Sequence, residues 1–236
     1  MLPFFAVSDG SGFDRYASSY DEDLARGLSA SGEDRAFFAR GRIEWLKRRL
    51  DAIGLRPGAI LDFGCGDGET TALLRDSFAS AGVIGVDVSE PLLERARRVN
   101  PGLRFQSVTA LSAQEQFELA FLNGVFHHIP RAEQAASARY LYERLSPGGT
   151  LAFWDNNPWS PAARYVMSRI VFDREAEMVW PRRARGLLRA AGFEILGTDF
   201  LFVFPRLLRA LRPLEPFLAR LPIGAQYLVL GRKPSR

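Results

Sequence analysis

From about residue 58 onward, short apolar runs alternate with longer stretches in which apolar residues recur every three or four positions. A run of four to seven apolar residues suits a strand buried in a parallel sheet, and the longer period suits a helix laid on that sheet. Their alternation is the mark of βαβ units. The pattern predicts strands near 59–63, 83–87, 103–107, 117–122, 149–154, 193–203 and 225–231. Helices are predicted over 69–79, 89–99, 131–145, 181–191 and 205–220. Pro147-Gly148-Gly149 makes the turn into the fifth strand, and Ala191-Gly192-Phe193 reads as a helix end leading into the sixth. The fold class is therefore α/β, a doubly wound, mostly parallel sheet of seven strands.

Two segments fall outside this rhythm. Residues 1–54 predict a helical cap: Phe37, Phe38, Ile43, Trp45, Leu46 and Leu50 fit one helix packed on the sheet, and FDRYASSYDEDL before it reads as a cover. The main domain then spans 55–236, interrupted at 155–190 by an insertion between strands five and six. Loops at the carboxyl ends of parallel strands line the ligand crevice, so substrate contacts are expected to concentrate there.

The densest local signal is ILDFGCGDGET, residues 60–70. Asp62 sits near the end of an apolar strand, and Gly64, Gly66 and Gly68 let the backbone turn tightly and approach a ligand. A dinucleotide fingerprint would place its third glycine at position 69, which is Glu69 here. Asp67 and Glu69 also put negative charge at a helix start that would otherwise attract a pyrophosphate. The next strand ends in Asp87, nineteen residues past Gly68, followed by a helix with Ser89 at its start and Pro91 in its first turn. A carboxylate at that place can accept ribose hydroxyls, in NAD-binding proteins as elsewhere.

These motifs, with FELAFLNGVFHHIP at 117–130, resemble those of the class I S-adenosylmethionine (SAM) dependent methyltransferases over most of residues 56–155. The resemblance implies a Rossmann-like sheet whose last strand is antiparallel, and SAM as cofactor with S-adenosylhomocysteine as product. It implies cofactor contacts from Asp62, Gly64, Cys65, Gly66, Asp87, Val88 and Asn123. Ser107, Val108 and Thr109 stand where relatives often carry an acid near the adenine, so a backbone contact, their hydroxyls or apolar contact with Val88 and Leu111 must serve instead. Tyr16 and Tyr20 resemble a tyrosine pair that closes over the cofactor, and Arg42 matches a basic position that pairs with the methionine carboxylate in some relatives.

The two histidines of the chain, His127 and His128, are adjacent and follow the fourth strand. Imidazole titrates near neutral pH, which makes them the candidates for a general base, His128 first. Asn123 is followed by Gly124, which departs from the Asn-Pro-Pro-Tyr type motif of the enzymes that methylate nucleobases and protein amides. Methyl transfer to oxygen is favoured, with carbon or small-amine acceptors open. Asn156, Asn157 and Trp159 form a polar and aromatic wall suited to a small-molecule or lipid-like acceptor.

Composition narrows the rest. At 236 residues and 47% hydrophobic content, one full core is affordable. Cys65 is the sole cysteine, so an internal disulfide is excluded. The net charge of +4 and a pI near 9.6 come from arginines mixed with acids, which reads as a solvated surface and not as a nucleic-acid site. No run reaches the roughly 20 apolar residues of a membrane span and no secretory signal opens the chain, so a cytoplasmic location is expected. Residues 205–221 place Leu207, Leu208, Leu211, Leu214, Leu218 and Leu221 opposite Arg206, Arg209, Arg212 and Arg220 on a helical wheel. The pattern is consistent with a helix covering the sheet or with weak contact to a membrane surface, Pro213 and Pro216 opposing a long helix. No metal is expected, and a monomer or homodimer is. The rival readings are an NAD-linked oxidoreductase and a SAM-binding protein without turnover.

Overall fold

A computed structural model describes residues 26–173 and 176–235. Seven strands form one sheet in the order β3-β2-β1-β4-β5-β7-β6. They are β1 (Ala59–Phe63), β2 (Gly82–Asp87), β3 (Arg104–Ser107), β4 (Phe117–Asn123), β5 (Leu145–Asn156), β6 (Glu194–Leu201) and β7 (Gln226–Arg232). Strand β7 lies antiparallel between β5 and β6, and the pairs among β1 to β5 are parallel.

The central strands are mostly apolar because both faces of the sheet are covered. Successive side chains point to opposite faces. Leu61, Ala120, Leu122, Leu151, Phe153, Tyr227 and Val229 pack into one core, with Tyr140, Leu141, Ala184 and Leu188 from helices above them. Their neighbours Ile60, Leu119, Phe121, Ala152, Trp154, Leu228 and Leu230 pack into the other, with Ile43, Leu46, Leu50 and Leu74. Those helical residues belong to α1 (Arg35–Ala52), α2 (Glu69–Ser77), α4 (Gln134–Arg144) and α6 (Pro181–Ala191); α3 (Glu90–Val99) and α5 (Pro161–Arg169) complete the longer helices.

Helix α1 is the predicted cap helix, and local chemistry sets its position. Asp34 accepts the Phe37 N–H at 2.7 Å and starts the helix. Farther along, Trp45 Nε1 and Arg49 donate to the buried Asp199 of β6 at 3.0 and 2.8 Å. Residues 1–25, including Tyr16 and Tyr20, lie outside the described residues.

One predicted helix is replaced by something else. Residues 205–220 form a 3-10 segment, Arg206–Leu214, kinked at Leu208, and then a single short turn α7, Glu215–Leu218. Pro213 and Pro216 lack the N–H that a continuous helix needs, so the leucine stripe never closes over the sheet. Leu207 is 93% exposed and Phe217 is 84% exposed.

Candidate active site

The carboxyl ends of β1, β2, β4 and β5 open into one cavity of about 240 Å³. Asp62, Gly64, Cys65 and Gly66 line it from the β1 corner, Asp87 and Val88 from β2, and Asn123, His127 and His128 from β4. Arg42 reaches it from α1, Val108 from the turn after β3, and Asn156 from the end of β5.

The glycine corner is built around Asp87. One carboxylate oxygen accepts the Gly66 N–H at 2.8 Å, and the other accepts the Val88 and Ser89 N–H groups at 2.7 and 3.0 Å. The three glycines all have positive φ, yet they serve different ends. A Cβ on Gly64 would collide with Val125, and one on Gly68 would sit 2.7 Å from the Phe105 ring. A Cβ on Gly66 would meet nothing within 4 Å, because its bare face looks into the cavity. There the missing side chain makes room for a ligand.

Asp62 is fully buried beneath this corner. Burial raises its pKa, the Thr71 hydroxyl bonded at 2.6 Å opposes the rise, the Asp87 charge adds to it, and the net is about 7. A cationic group on the ligand would restore the carboxylate. Arg42 is buried and donates to Gln226 at 2.9 Å, and its charge also acts on Asp62. Cys65 is buried in contact with α3 and β3 neighbours Leu93, Ala96 and Phe105, and burial pushes its thiol pKa well up, which suits packing and not reactivity.

The charge argument made for Asp67 and Glu69 needs correction. Arg35 of α1 grips Asp67 through two contacts of 2.6 and 2.8 Å and reaches Glu69 at 2.7 Å, with Arg95 3.7 Å from Asp67. Burial alone would raise Asp67, but these guanidinium contacts outweigh it and lower the pKa. The acids are compensated, so they tie the cap helix to the corner and do not repel a phosphate.

The same cavity is also lined by His127, His128 and Asp173. His127 is buried, its Nδ1 is 2.6 Å from Asp155 Oδ1, and its Nε2 is 3.6 Å from Asp173 Oδ1. His128 Nε2 lies 3.2 Å from the same Asp173 oxygen, and the two rings stand 4.2 Å apart. Burial disfavours charge on His127, but the Asp155 carboxylate, and then Asp173, overcome it and raise the pKa to about 10. These contacts favour the protonated imidazole, so His127 suits the role of general base less well than His128 does. His128 goes the other way: burial and the charge of His127 lower its pKa despite Asp173. Asp173 is held at about 2, its burial outweighed by the two imidazoles.

Five expected contacts fall elsewhere. Ser107 is half-buried and Thr109 exposed, their hydroxyls bond each other at 3.0 Å, and neither residue lines the cavity that Val108 does. Leu111 packs into the core. Asn157 points inward, donating to the Pro222 and Gly224 carbonyls at 3.1 and 2.7 Å, and so braces a loop and does not touch substrate. Trp159 lies outside the cavity with its ring 5.4 Å from Trp180. Sequence reasoning in turn missed Arg35, Phe38, Glu133, Val166, Ile170 and Asp173, all of which line the cavity. Asp173 lies in the insertion already marked as substrate-facing, the one signal that could have found it.

Residues 60–149 match the family described as "Methyltransferase domain". Trans-aconitate 2-methyltransferase of Methylobacterium nodulans is 36% identical over 98 residues, 41% of this chain and 37% of that protein. The Azoarcus sp. protein of the same name is 30% identical over 152 residues, 63% of this chain and 57% of its own length. The chain thus spans 37 and 57% of these two curated relatives. Among solved structures, a SAM-dependent methyltransferase from Mesorhizobium loti superposes with a TM-score of 0.57 at 23% identity, covering 81% of this chain and 98% of that one. Magnesium protoporphyrin IX methyltransferase from Synechocystis, solved with bound SAM, gives 0.60 at 18% identity over 98 and 99%. These structural likenesses establish the fold.

Replacing Gly66 with Ala should lower affinity for S-adenosylhomocysteine at least tenfold by calorimetry while leaving thermal unfolding within about 2 kcal/mol of wild type, the usual cost of a left-handed L-residue. Gly64→Ala should instead show its main effect in unfolding. Unchanged affinity in Gly66→Ala would contradict the placement of the ligand over this face.

Proposed function

We propose that this chain, which belongs to the class I SAM-dependent methyltransferases, transfers a methyl group from SAM to a hydroxyl of a small, lipid-like acceptor. The observation that carries the reading is that one cavity is lined both by Gly66, Asp62 and Asp87, which suit the cofactor, and by His128, Asp173 and Glu133, which are left for the acceptor. The cradle fits the cofactor: bare backbone at Gly66 admits close approach, and the Asp62 and Asp87 carboxylates suit a ligand with positive charge and sugar hydroxyls.

Bound SAM supplies a methyl carbon on a cationic sulfur, which leaves without needing a proton. What remains for the protein is alignment and exclusion of water. Val166, Ile170 and Phe38 offer apolar cover on the chamber side, while His128 and Asn156 offer polar contacts, so an acceptor with an apolar body and one oxygen end suits it. A polycarboxylate such as the curated relatives' namesake suits it less, because Asp173 and Glu133 face the chamber and Arg35 is committed to Asp67 and Glu69. The domain match ends at residue 149, before Asn156, Val166, Ile170 and Asp173, so this part of the acceptor wall lies outside the matched region.

One observation favours a lipid-borne acceptor over a freely diffusing one. Leu207, Leu208, Leu211, Leu214, Phe217 and Leu221 are all exposed on one segment, interleaved with arginines. That segment is fastened to the cap: Arg206 donates to the Gly32 carbonyl at 3.4 Å, and Arg212 pairs with Glu33 at 2.8 Å and lies 4.4 Å over the Phe37 ring. Arg35 and Phe38 of the same cap line the cavity. An apolar ridge flanked by guanidinium groups matches an anionic membrane surface, and no helix among the described residues is long and apolar enough to cross one.

Two measurements check this. With radiolabelled SAM and an acceptor library of alcohols and lipid-extract fractions, wild type should transfer label to a hydroxyl-bearing lipid fraction. His128→Ala should reduce turnover at least 100-fold while binding S-adenosylhomocysteine as wild type. Cofactor binding without transfer to any fraction would favour a non-catalytic SAM-binding protein, and NAD binding in place of S-adenosylhomocysteine would favour an oxidoreductase. Separately, the full chain should float with vesicles containing phosphatidylglycerol and not with pure phosphatidylcholine, and Leu207→Glu with Phe217→Glu should abolish flotation. Vesicle binding that is absent, or that survives the double change, would remove the membrane contact.

A further inference from the structure

We infer that His127, His128 and Asp173 form a site for a divalent first-row transition-metal cation at the floor of the acceptor chamber, with zinc as the first candidate. The inference rests on reading this chamber as the acceptor's place, and it reverses the expectation that no metal is used.

Donor geometry carries the argument. One atom from each of the three residues lies within 4.8 Å of the others. The Nε2 atoms of both histidines approach a single oxygen, Asp173 Oδ1, at 3.6 and 3.2 Å. Ligand atoms around a tetrahedral zinc with bonds near 2.0–2.2 Å stand roughly 3.3–3.6 Å apart. Despite this proximity, Asp173 Oδ1 is buried and has no aligned hydrogen-bond partner.

The surroundings repeat the arrangement found around bound metals. A ligating histidine usually gives its other ring N–H to a carboxylate, which fixes the tautomer and turns the free lone pair toward the ion. Asp155 does this for His127, with Oδ1 2.6 Å from Nδ1, and Asp155 Oδ1 is itself held by the Asn156 N–H at 2.7 Å. Charge agrees as well. Two buried carboxylates, Asp155 and Asp173, face this pair of imidazoles, and a dication that displaced the His127 proton to solvent would balance both. Both histidines and Asp173 line the cavity, so a coordination position faces the acceptor, as in catalytic and not structural zinc sites. Two imidazoles and one carboxylate also suit iron and manganese. An ion so placed would seat the acceptor's oxygen, with His128 serving as ligand and not as base.

The test needs no turnover. Full-length protein stripped with a chelator and dialysed is titrated with zinc chloride alone, and separately with cobalt chloride while visible absorption is followed. Wild type should take up one zinc per chain with micromolar or tighter affinity and should show the ligand-field bands of low-symmetry cobalt. His128→Ala and Asp173→Asn should each weaken zinc uptake at least 30-fold and lose the cobalt bands. Binding of S-adenosylhomocysteine at the separate glycine corner reports whether each variant is folded. Asp155→Asn, a positioning change, should weaken uptake by a smaller factor and leave the cobalt bands altered but present.

The inference is overturned if wild type shows no saturable uptake, or if uptake persists unchanged in folded His128→Ala and Asp173→Asn proteins. Methyl transfer that proceeds at full rate in chelator, with no uptake, would sink the metal site and leave the methyltransferase reading standing. Uptake without any methyl transfer would do the reverse.

Discussion

Everything at the working edge of this sheet depends on the hold of the Asp87 carboxylate on three backbone N–H groups. Parallel strands end with donors and acceptors that have no partner in the next element, and a corner of left-handed glycines cannot supply one. Asp87 takes the N–H of Gly66 from the β1 corner and those of Val88 and Ser89 from its own turn, so two loops become one surface. The bare face of Gly66 is thereby held open toward the cavity, and the start of α2 is fixed beside it. Arg35 adds a second tie, from the cap helix to Asp67 and Glu69, so the lid and the corner are set by charge pairs that meet at one point.

The opposite wall is organised by a different economy. Two strand ends, those of β4 and β5, and the insertion contribute a group of charges that would be costly to bury singly. Asp155 and Asp173 offset the cost of burying His127, and Asp173 also reaches His128. The family match stops at residue 149, while the cavity lining continues to Asp173.

What was legible in the sequence follows the range of the interactions. The strands were readable because most are local apolar runs, and the glycine corner because its spacing is set by the five-residue turn 64–68 between β1 and α2. Asp87 was found because it ends the next strand. The chamber was legible only in part, since His127 meets Asp155 across 28 positions and Asp173 arrives from an insertion with no periodicity. Ser107 and Thr109 were misplaced because the turn after β3 presents Val108 to the cavity and pairs the two hydroxyls with each other. At 205–220 the helical wheel counted leucines and arginines correctly, but the prolines and the kink at Leu208 decided the backbone.

The central claim is that one cavity holds a methyl donor against the Asp87 corner and an acceptor against His128. A crystal structure of the protein with S-adenosylhomocysteine tests it most directly. The ribose is predicted at Asp87, the amino-acid end above Gly66 toward Asp62, and the sulfur facing the chamber of His128 and Asp173. A sulfur turned away from that chamber, or the ligand seated elsewhere on the chain, would contradict the account.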